Sequence, residues 1–391
     1  MASTFDIIII GGGINGSASA FFLARAGLRC VIVERLPALA RLTTSRSMEA
    51  MRAQFVEPEN VAMMRESIAF YERFAEHTGL KGYGIGVHQQ GYLFLTTEID
   101  GPQRFQQRVA AQHSLGLDDV AFLSGDEVRR RFPWASAEAI TAGTFRQADG
   151  WLSAHEACFG FARASGAVIM LNTTVTGFTL TGGRMAGVAT DRGPLAAPLV
   201  VIAAGPYSGR VALLAGVALP LRIIRRHRVT IGQHPLIPQG APMVIDQDTG
   251  AHWRPEKPGA ALAWAQAHEA PGEPLDDVPA NPHFVHEVLE GVYRLCPFWL
   301  DVAESLKRDQ VYVQAGQYTV TPDDKPIIGP HPDIEGLYFN TGYSGHGIMG
   351  APGGGRLLAD LITGAAREDA NAFSLRRLAS LNTSDAHQRL L

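Results

Sequence analysis

The sequence predicts an α/β protein of two interleaved lobes, a Rossmann-like nucleotide domain and a second domain built on a mixed β-sheet. Three observations carry that prediction. The apolar, β-branched run Phe5 to Ile10 flows directly into Gly11, Gly13 and Gly16, spaced G-x-G-x-x-G. A predicted β-meander far downstream leads into a strand ending in Ala203-Ala204-Gly205-Pro206, and the chain closes on another strand, glycine turn and helix between Leu337 and Ile362. Between these blocks, alternating apolar segments broken by Pro and Gly have the pattern of a second sheet.

The opening unit is a βαβ fold of about 30 residues. Ile14, Ala18, Phe21, Phe22 and Ala26 recur at helical spacing, and Arg29 to Val33 returns to a strand. Glycine is demanded by the chemistry: Gly11 makes the tight turn, Gly13 lets backbone approach a pyrophosphate, and Gly16 lets helix pack on strand. The helix start then faces phosphate charge. Glu34, ending the second strand, is placed to accept bonds from a ribose hydroxyl. A glycine-rich loop in an ordinary α/β protein, with Glu34 solvated, accounts less well for three glycines at those offsets.

With 391 residues, 46% hydrophobic and 18% charged, the chain can bury one large core or two moderate ones, with two lobes the default. A net charge of −4 argues against a nucleic-acid surface. Cys30, Cys158 and Cys296 are far apart and lack C-x-x-C spacing, so they read as buried thiols in a reducing compartment, with no structural metal. A first strand beginning at Phe5 leaves no room for a signal peptide, and no apolar run approaches the roughly 18 residues of a membrane span. A cytoplasmic protein is expected.

In chain order, the Thr-, Ser- and Arg-rich segment Arg35 to Val56 predicts a loop with one short helix, able to meet a cofactor or anion or simply to lie solvated. Pro58 starts a packing helix carrying Val61, Met64, Ile68, Tyr71 and Ala75. A strand over Gly91 to Thr97, a helix over Gln103 to Leu117 and a capping box at Ser124 and Glu127 make 85–150 a mixed insertion. A second capping box at Ser153 and Glu156 opens a helix, the strand Ala167 to Leu171 follows, and Val175 to Leu180 with Met185 to Asp191 form the meander.

Leu219 to Ile231 reads as a strand with one exposed basic face (Arg222, Arg225, Arg226, His227, Arg228), or else as an attractor of an acidic partner. Strands near Met243, Ala251 and Ala260, a Pro- and Asp-rich loop over Pro271 to Pro282 and a helix to about Cys296 complete the second lobe, whose sheet walls commonly make a substrate pocket. Val311 to Val313, Ile327 to Pro330 and Leu337 to Thr341 are strands. Gly342-Tyr343-Ser344-Gly345-His346-Gly347 then turns into a helix over Ile348 to Ile362, whose start offers a positive dipole to a second electron-rich target. Beyond Arg367 a loosely ordered tail is expected.

The motifs FDIIIIGGGINGSASA with Glu34, GQYTVTPDDKPIIG and GYSGHGIMGAPGGGRLLADLI together resemble the D-amino-acid oxidase superfamily of flavoproteins, in its sarcosine oxidase and glycine oxidase branch, over nearly the whole chain. The resemblance implies a glutathione-reductase-type FAD-binding domain made of 1–84, 150–218 and 316–391, and a substrate domain made of 85–149 and 219–315. It implies that Gly11, Gly13, Ile14, Asn15 and Gly16 hold the pyrophosphate, and that Glu34 with Arg35 holds the ribose. Thr44, Ser45, Arg46 and Ser47 would lie beside the flavin, Val175 would border the adenine, and Ala204 with Gly205 would complete the site. Gly345, His346, Gly347, Ile348 and Met349 would bring backbone N–H groups to the pyrimidine end of the isoalloxazine.

Departures from the family pattern carry further expectations. Gly316 replaces the Cys that attaches flavin in monomeric sarcosine oxidases, so FAD is expected to bind non-covalently. Met349 replaces a carboxylate-binding Lys, and a Lys that assists oxygen falls near Ala263, which leans towards a dehydrogenase. Arg52 matches the arginine that binds substrate carboxylate, and a guanidinium fork suits that ligand. Tyr318, His252, Arg254 and His346 are the other candidate catalytic residues, although His346, at a helix start, suits a flavin or structural contact better than the role of a general base.

The resemblance thus implies oxidation of the C–N bond of a small or N-substituted amino acid by hydride transfer to flavin N5, giving an imine that hydrolyses. The electron acceptor would be oxygen or a partner subunit. Two alternatives stay open: the catalytic β subunit of a heteromeric sarcosine, opine or proline dehydrogenase, and a flavoprotein assembly factor without turnover.

Overall fold

The computed structural model describes residues 5–265 and 270–380. Its first sheet has six strands in the order Ile327–Pro330, Leu337–Thr341, Leu199–Ile202, Ile7–Ile10, Cys30–Val33, Val168–Met170. All neighbours run parallel except the antiparallel edge strand Ile327–Pro330. The four-isoleucine run sits at the centre because both faces are covered. Ile7 and Ile9 pack with Ala18, Phe21, Phe161 and Leu358 on the helical side, while Ile8 and Ile10 pack with Val175, Met185 and Val188 of the meander. Each fully buried isoleucine contributes roughly 1.5–3 kcal/mol.

Helices Ile14–Arg25 and Gly347–Thr363 pack together on that helical side. Small residues allow it: a Cβ at Gly355 would lie 3.0 Å from the backbone of Ala18. The two glycine-bordered helix starts are thereby brought side by side.

The second sheet has eight strands, in the order Val311–Val320, Arg222–Ile231, Gly259–Trp264, Ala251–Glu256, Met243–Asp246, Tyr92–Thr96, Ala142–Arg146, Ala121–Ser124. Alternate residues define its faces. Leu93, Leu95, Val244, Trp253 and Leu262 face helices Phe284–Tyr293 and Phe298–Ser305. Tyr92, Phe94, Met243, Ile245 and Ala263 instead face Met48, Ala50 and Trp151, at the short ladder Ala50–Met51/Gly150–Trp151. That second face is one wall of the candidate site.

Several expectations are corrected. The strand expected at Val311 to Val313 runs on to Val320, pairing along its whole length with Arg222–Ile231. Arg222–Ile231 lies inside the sheet and has no exposed basic face: Arg225 alone among its basic residues is exposed, and Arg226, His227 and Arg228 are buried. The helix expected up to about Cys296 spans Phe284–Tyr293, and a separate, unexpected helix, Phe298–Ser305, follows it.

Both caps form, with a difference. Ser124 Oγ accepts from Glu127 N–H while the Glu127 carboxylate accepts from Ser124 N–H (2.8 Å). Ser153 Oγ accepts from Glu156 N–H, but the Glu156 carboxylate takes the Tyr83 hydroxyl (2.7 Å). Beyond Arg367 the chain is not loose as far as residue 380. Phe373 is buried, its carbonyl accepts from Ile328 N–H (3.0 Å), and Arg377 pairs with Asp323 (2.8 Å). The last part of the expected tail, 381–391, lies outside the described residues. The three cysteines are buried free thiols, and no described helix is long and apolar enough to cross a membrane.

Candidate active site

A cavity of about 530 Å³ opens where the first sheet meets the two glycine-bordered helix starts. Gly11 has φ +108° and a Cβ there would lie 2.5 Å from Ala203 O, so only glycine makes this turn. Gly13 is the N-cap of the first helix and brings no side chain to cap it, and no acidic residue stands in its first turn. The second helix likewise has no side-chain cap at His346 and no acid in its first turn. Apart from Ile14 N–H, both ends therefore present first-turn N–H groups without a side-chain cap, and positive dipole, to the same space. Asn15 Oδ1, buried there, has no partner among the described residues. Glu34 is fixed as its carboxylate accepts from Gly12 N–H (2.7 Å) and Leu36 N–H (2.8 Å). Thr44 Oγ1 accepts from Ile14 N–H (3.1 Å). This donor set fits an FAD: an anion cradle, a ribose-facing acid, and a second helix start for an electron-rich ring.

A second cavity of about 90 Å³ abuts the first, and Ser47, Tyr318, Ser344, Gly345 and Ile348 line both. Tyr318 packs on the second turn so closely that a Cβ at Gly345 would lie 2.5 Å from its ring. Tyr92, Phe94, Met243 and Ile245 form an apolar wall. Arg52 enters from the ladder side, 6% exposed, with its guanidinium 4.4 Å from the Phe55 ring and 5.1 Å from Phe94. Its Nη1 has no hydrogen-bond partner among the described residues. Burial holds the Arg52 pKa below its usual value.

Both histidines of this cavity are neutral. Burial, with the nearby Arg226 and Arg52 charges, pulls His252 down to about 4, although its bond to the Gly250 carbonyl works the other way. That carbonyl accepts from His252 Nδ1–H (2.8 Å), which leaves Nε2 with the lone pair. Burial and Arg52 pull His346 down to about 3, and its ring stands edge-on to Phe55 at 5.1 Å.

Most of the residues singled out from the sequence meet here. Gly11, Gly13, Ile14, Asn15, Glu34, Arg35 and Thr44 line the large cavity, as do Val175, Ala204, Gly205 and Gly347. Arg52, His252, His346 and Met349 line the small one. Four residues do not. Gly16 is a packing glycine, whose Cβ would lie 2.0 Å from Gly11 O. Ser45 Oγ donates to Leu42 O (3.0 Å) and Arg46 Nη1 to Ala315 O (2.9 Å), and neither lines a cavity. Arg254 is spent elsewhere: Nε donates to Met48 O (2.8 Å) and Nη2 to Glu49 (3.0 Å). It braces the wall and does not reach the cavity.

The sequence reading missed Tyr92, Phe94, Met243 and Ile245, and also Tyr207 and Arg210 at the large cavity. Period-2 spacing was the available signal for the first four, but it does not say which face of the strand meets the ligand.

The family model described as FAD dependent oxidoreductase matches residues 6–361. "FAD-dependent oxidoreductase domain-containing protein 1" of Xenopus laevis is 29% identical, over 95% of this chain and 82% of its own length. Sarcosine oxidase subunit beta of an Arthrobacter species is 26% identical, over 98% and 93%. The crystal structure of L-proline dehydrogenase from P. horikoshii superposes with a TM-score of 0.86 at 25% identity, covering 97% of this chain and 99% of that one. With nearly its whole length matched, and a cradle built for that cofactor, the chain belongs to the FAD-dependent oxidoreductase family.

Proposed function

We propose that the protein oxidises the C–N bond of a small amino acid or N-substituted amino acid whose carboxylate is held by Arg52. The observation that carries this reading is a buried guanidinium with an unpartnered Nη1 in a small apolar cavity adjoining the cofactor cavity. A lone buried cation is costly, and a carboxylate offers the two oxygens its fork needs.

Charge balance selects the form of the amine. Among the described residues the one carboxylate on this cavity, Glu49, is already engaged by Arg254 and Ala154 N–H (3.1 Å). An ammonium therefore has no counter-charge, and the free amine is favoured. FAD, when bound in the larger cavity, would supply a two-electron acceptor for the α- or N-methyl hydrogen taken as hydride, leaving a protonated imine that water hydrolyses. Arg52 orients, the aromatic and aliphatic wall excludes water, and neutral His252 presents an acceptor. Relatives named for sarcosine and L-proline, both secondary amino acids, point the same way.

A second reading concerns the electron acceptor. The oxygen-assisting lysine of the resembling oxidases falls near Ala263 here, and its loss favours a dehydrogenase over a fast oxidase. The chain spans 93% of a relative named sarcosine oxidase subunit beta, which fits electrons passing to a partner subunit. An anaerobic screen of glycine, sarcosine, dimethylglycine, proline, D-amino acids and opines tests the function through bleaching of the flavin's visible band. Bleaching by one of these in the wild type and its loss in Arg52→Met supports the reading. No bleaching by any amine favours an assembly role and sinks it.

A further inference from the structure

The loop 270–282 leaves the strand-walled lobe and reaches the rim of the cofactor cavity. It is pinned at its base: Gly272 N–H donates to Ile223 O (2.8 Å), Leu275 N–H to Gln317 Oε1 (2.9 Å), and Gln317 Nε2 to Glu273 O (2.7 Å). From there two acids cross to the other lobe. Asp276 takes both terminal nitrogens of Arg35, one at 2.6 Å, and also accepts from the Tyr207 hydroxyl (2.7 Å). Glu273 pairs with Arg210 (2.9 Å).

The three partners Arg35, Tyr207 and Arg210 all line the large cavity. Arg35 follows Cys30–Val33, and Tyr207 follows Leu199–Ile202. These strands flank Ile7–Ile10 on its two sides. The Arg35 guanidinium nevertheless lies 4.4 Å from the centre of the Tyr207 ring. The two side chains thus meet across the end of the central strand, above the turn that makes the anion cradle, and Asp276 holds both.

We propose that Asp276, seconded by Glu273, belongs to the cofactor site as a latch that joins Arg35 to Tyr207 over the cradle and slows release of bound FAD. The inference rests on the family's cofactor and is independent of which amine is oxidised. Asp276 holds a fork with both its oxygens and a phenol besides, a geometry better defined than a single exposed ion pair. The pair is partly open to solvent, so its hold is modest and sensitive to salt.

The test is the rate of FAD release from holoprotein diluted into buffer, followed by recovery of free-flavin fluorescence. Asp276→Asn is expected to release FAD about fivefold faster than wild type at low salt, and the two rates to converge at high salt as the pair is screened. Glu335→Gln, which opens an exposed pair with Arg184 on the meander edge, serves as control and should leave the rate unchanged. Wild-type release rates in both Asp276→Asn and the Asp276→Asn/Glu273→Gln double variant would overturn the latch, as would equal acceleration by Glu335→Gln. A wild-type chain that takes up no FAD overturns it together with the cofactor assignment. Failure of the amine screen leaves these release rates, and the latch, standing.

Discussion

Asn15 and Gly347, 332 positions apart, face each other across the floor of the large cavity: a Cβ at Gly347 would lie 3.1 Å from Asn15 Nδ2. The first turn of the opening helix and the first turn of the closing helix thus meet at the lining of one cavity. Substituting the glycines that permit this should strip the cofactor. Gly16→Ala forces a methyl to within 2.0 Å of Gly11 O, and Gly345→Ala forces one to within 2.5 Å of the Tyr318 ring at φ +94°. Overpacking of this kind costs about 1–3 kcal/mol. Each variant should bind FAD roughly tenfold or more weakly, read as flavin-to-protein ratio after gel filtration.

Arg52 should trade binding against stability. Arg52→Met removes an incompletely partnered buried charge, so the protein should melt at an unchanged or higher temperature. Loss of a buried charge partner for a carboxylate costs about 2–5 kcal/mol, so KM should rise roughly 30-fold or more. Arg52→Lys should recover only part of it. A fall in Tm with unchanged KM would make Arg52 a brace.

Arg254 should behave in the opposite way. It is 2% exposed and ion-paired to Glu49, so Arg254→Met leaves that half-buried carboxylate with Arg228, at 3.9 Å, as its remaining cation, at a cost of about 3 kcal/mol. The midpoint of urea unfolding should drop sharply, whereas the charge proposed to hold the substrate carboxylate, Arg52, remains in place.

The pH dependence follows from the depressed His252. With a folded pKa of about 4, the unfolded chain binds the proton more readily, so stability rises with pH between about 4 and 6.5. The contribution is complete above about 6.5 and is lost as pH falls towards 4, at up to roughly 1.4 kcal/mol per pH unit. His252→Leu should lessen the slope of the unfolding free energy across that window without abolishing it, because His346, held at about 3, contributes a slope of the same sign. By the same token, kcat/KM should show no limb near 6.5 from either cavity histidine, and its rise with pH should track the substrate amine.

How much of this could be read from the chain depended on whether a residue's role is local. Ile7 to Ile10, Gly11, Gly13 and Glu34 act within one βαβ unit, so spacing alone located them. The closing turn Gly345 to Gly347 was legible for the same reason. The small cavity is assembled from Arg52, Tyr92, Met243, His252 and Tyr318, five segments whose alternation is plain but whose facing depends on the other lobe. Arg254 illustrates the limit: two residues from His252 on one strand, it is pulled to Met48 O and Glu49 instead of the cavity. Arg226 and Arg228 looked like a solvated face because nothing in a strand of basic residues announces that sheet neighbours and a helix will cover it.

The most direct test is a crystal structure of the yellow holoprotein. Electron density for a single FAD in contact with both the Gly11–Gly16 turn and the Gly345–Ile348 turn, with its ring beside Tyr318 and the small cavity holding Arg52, is the outcome expected. A flavin touching only one of the two turns, or a nicotinamide nucleotide in the cleft, would contradict it.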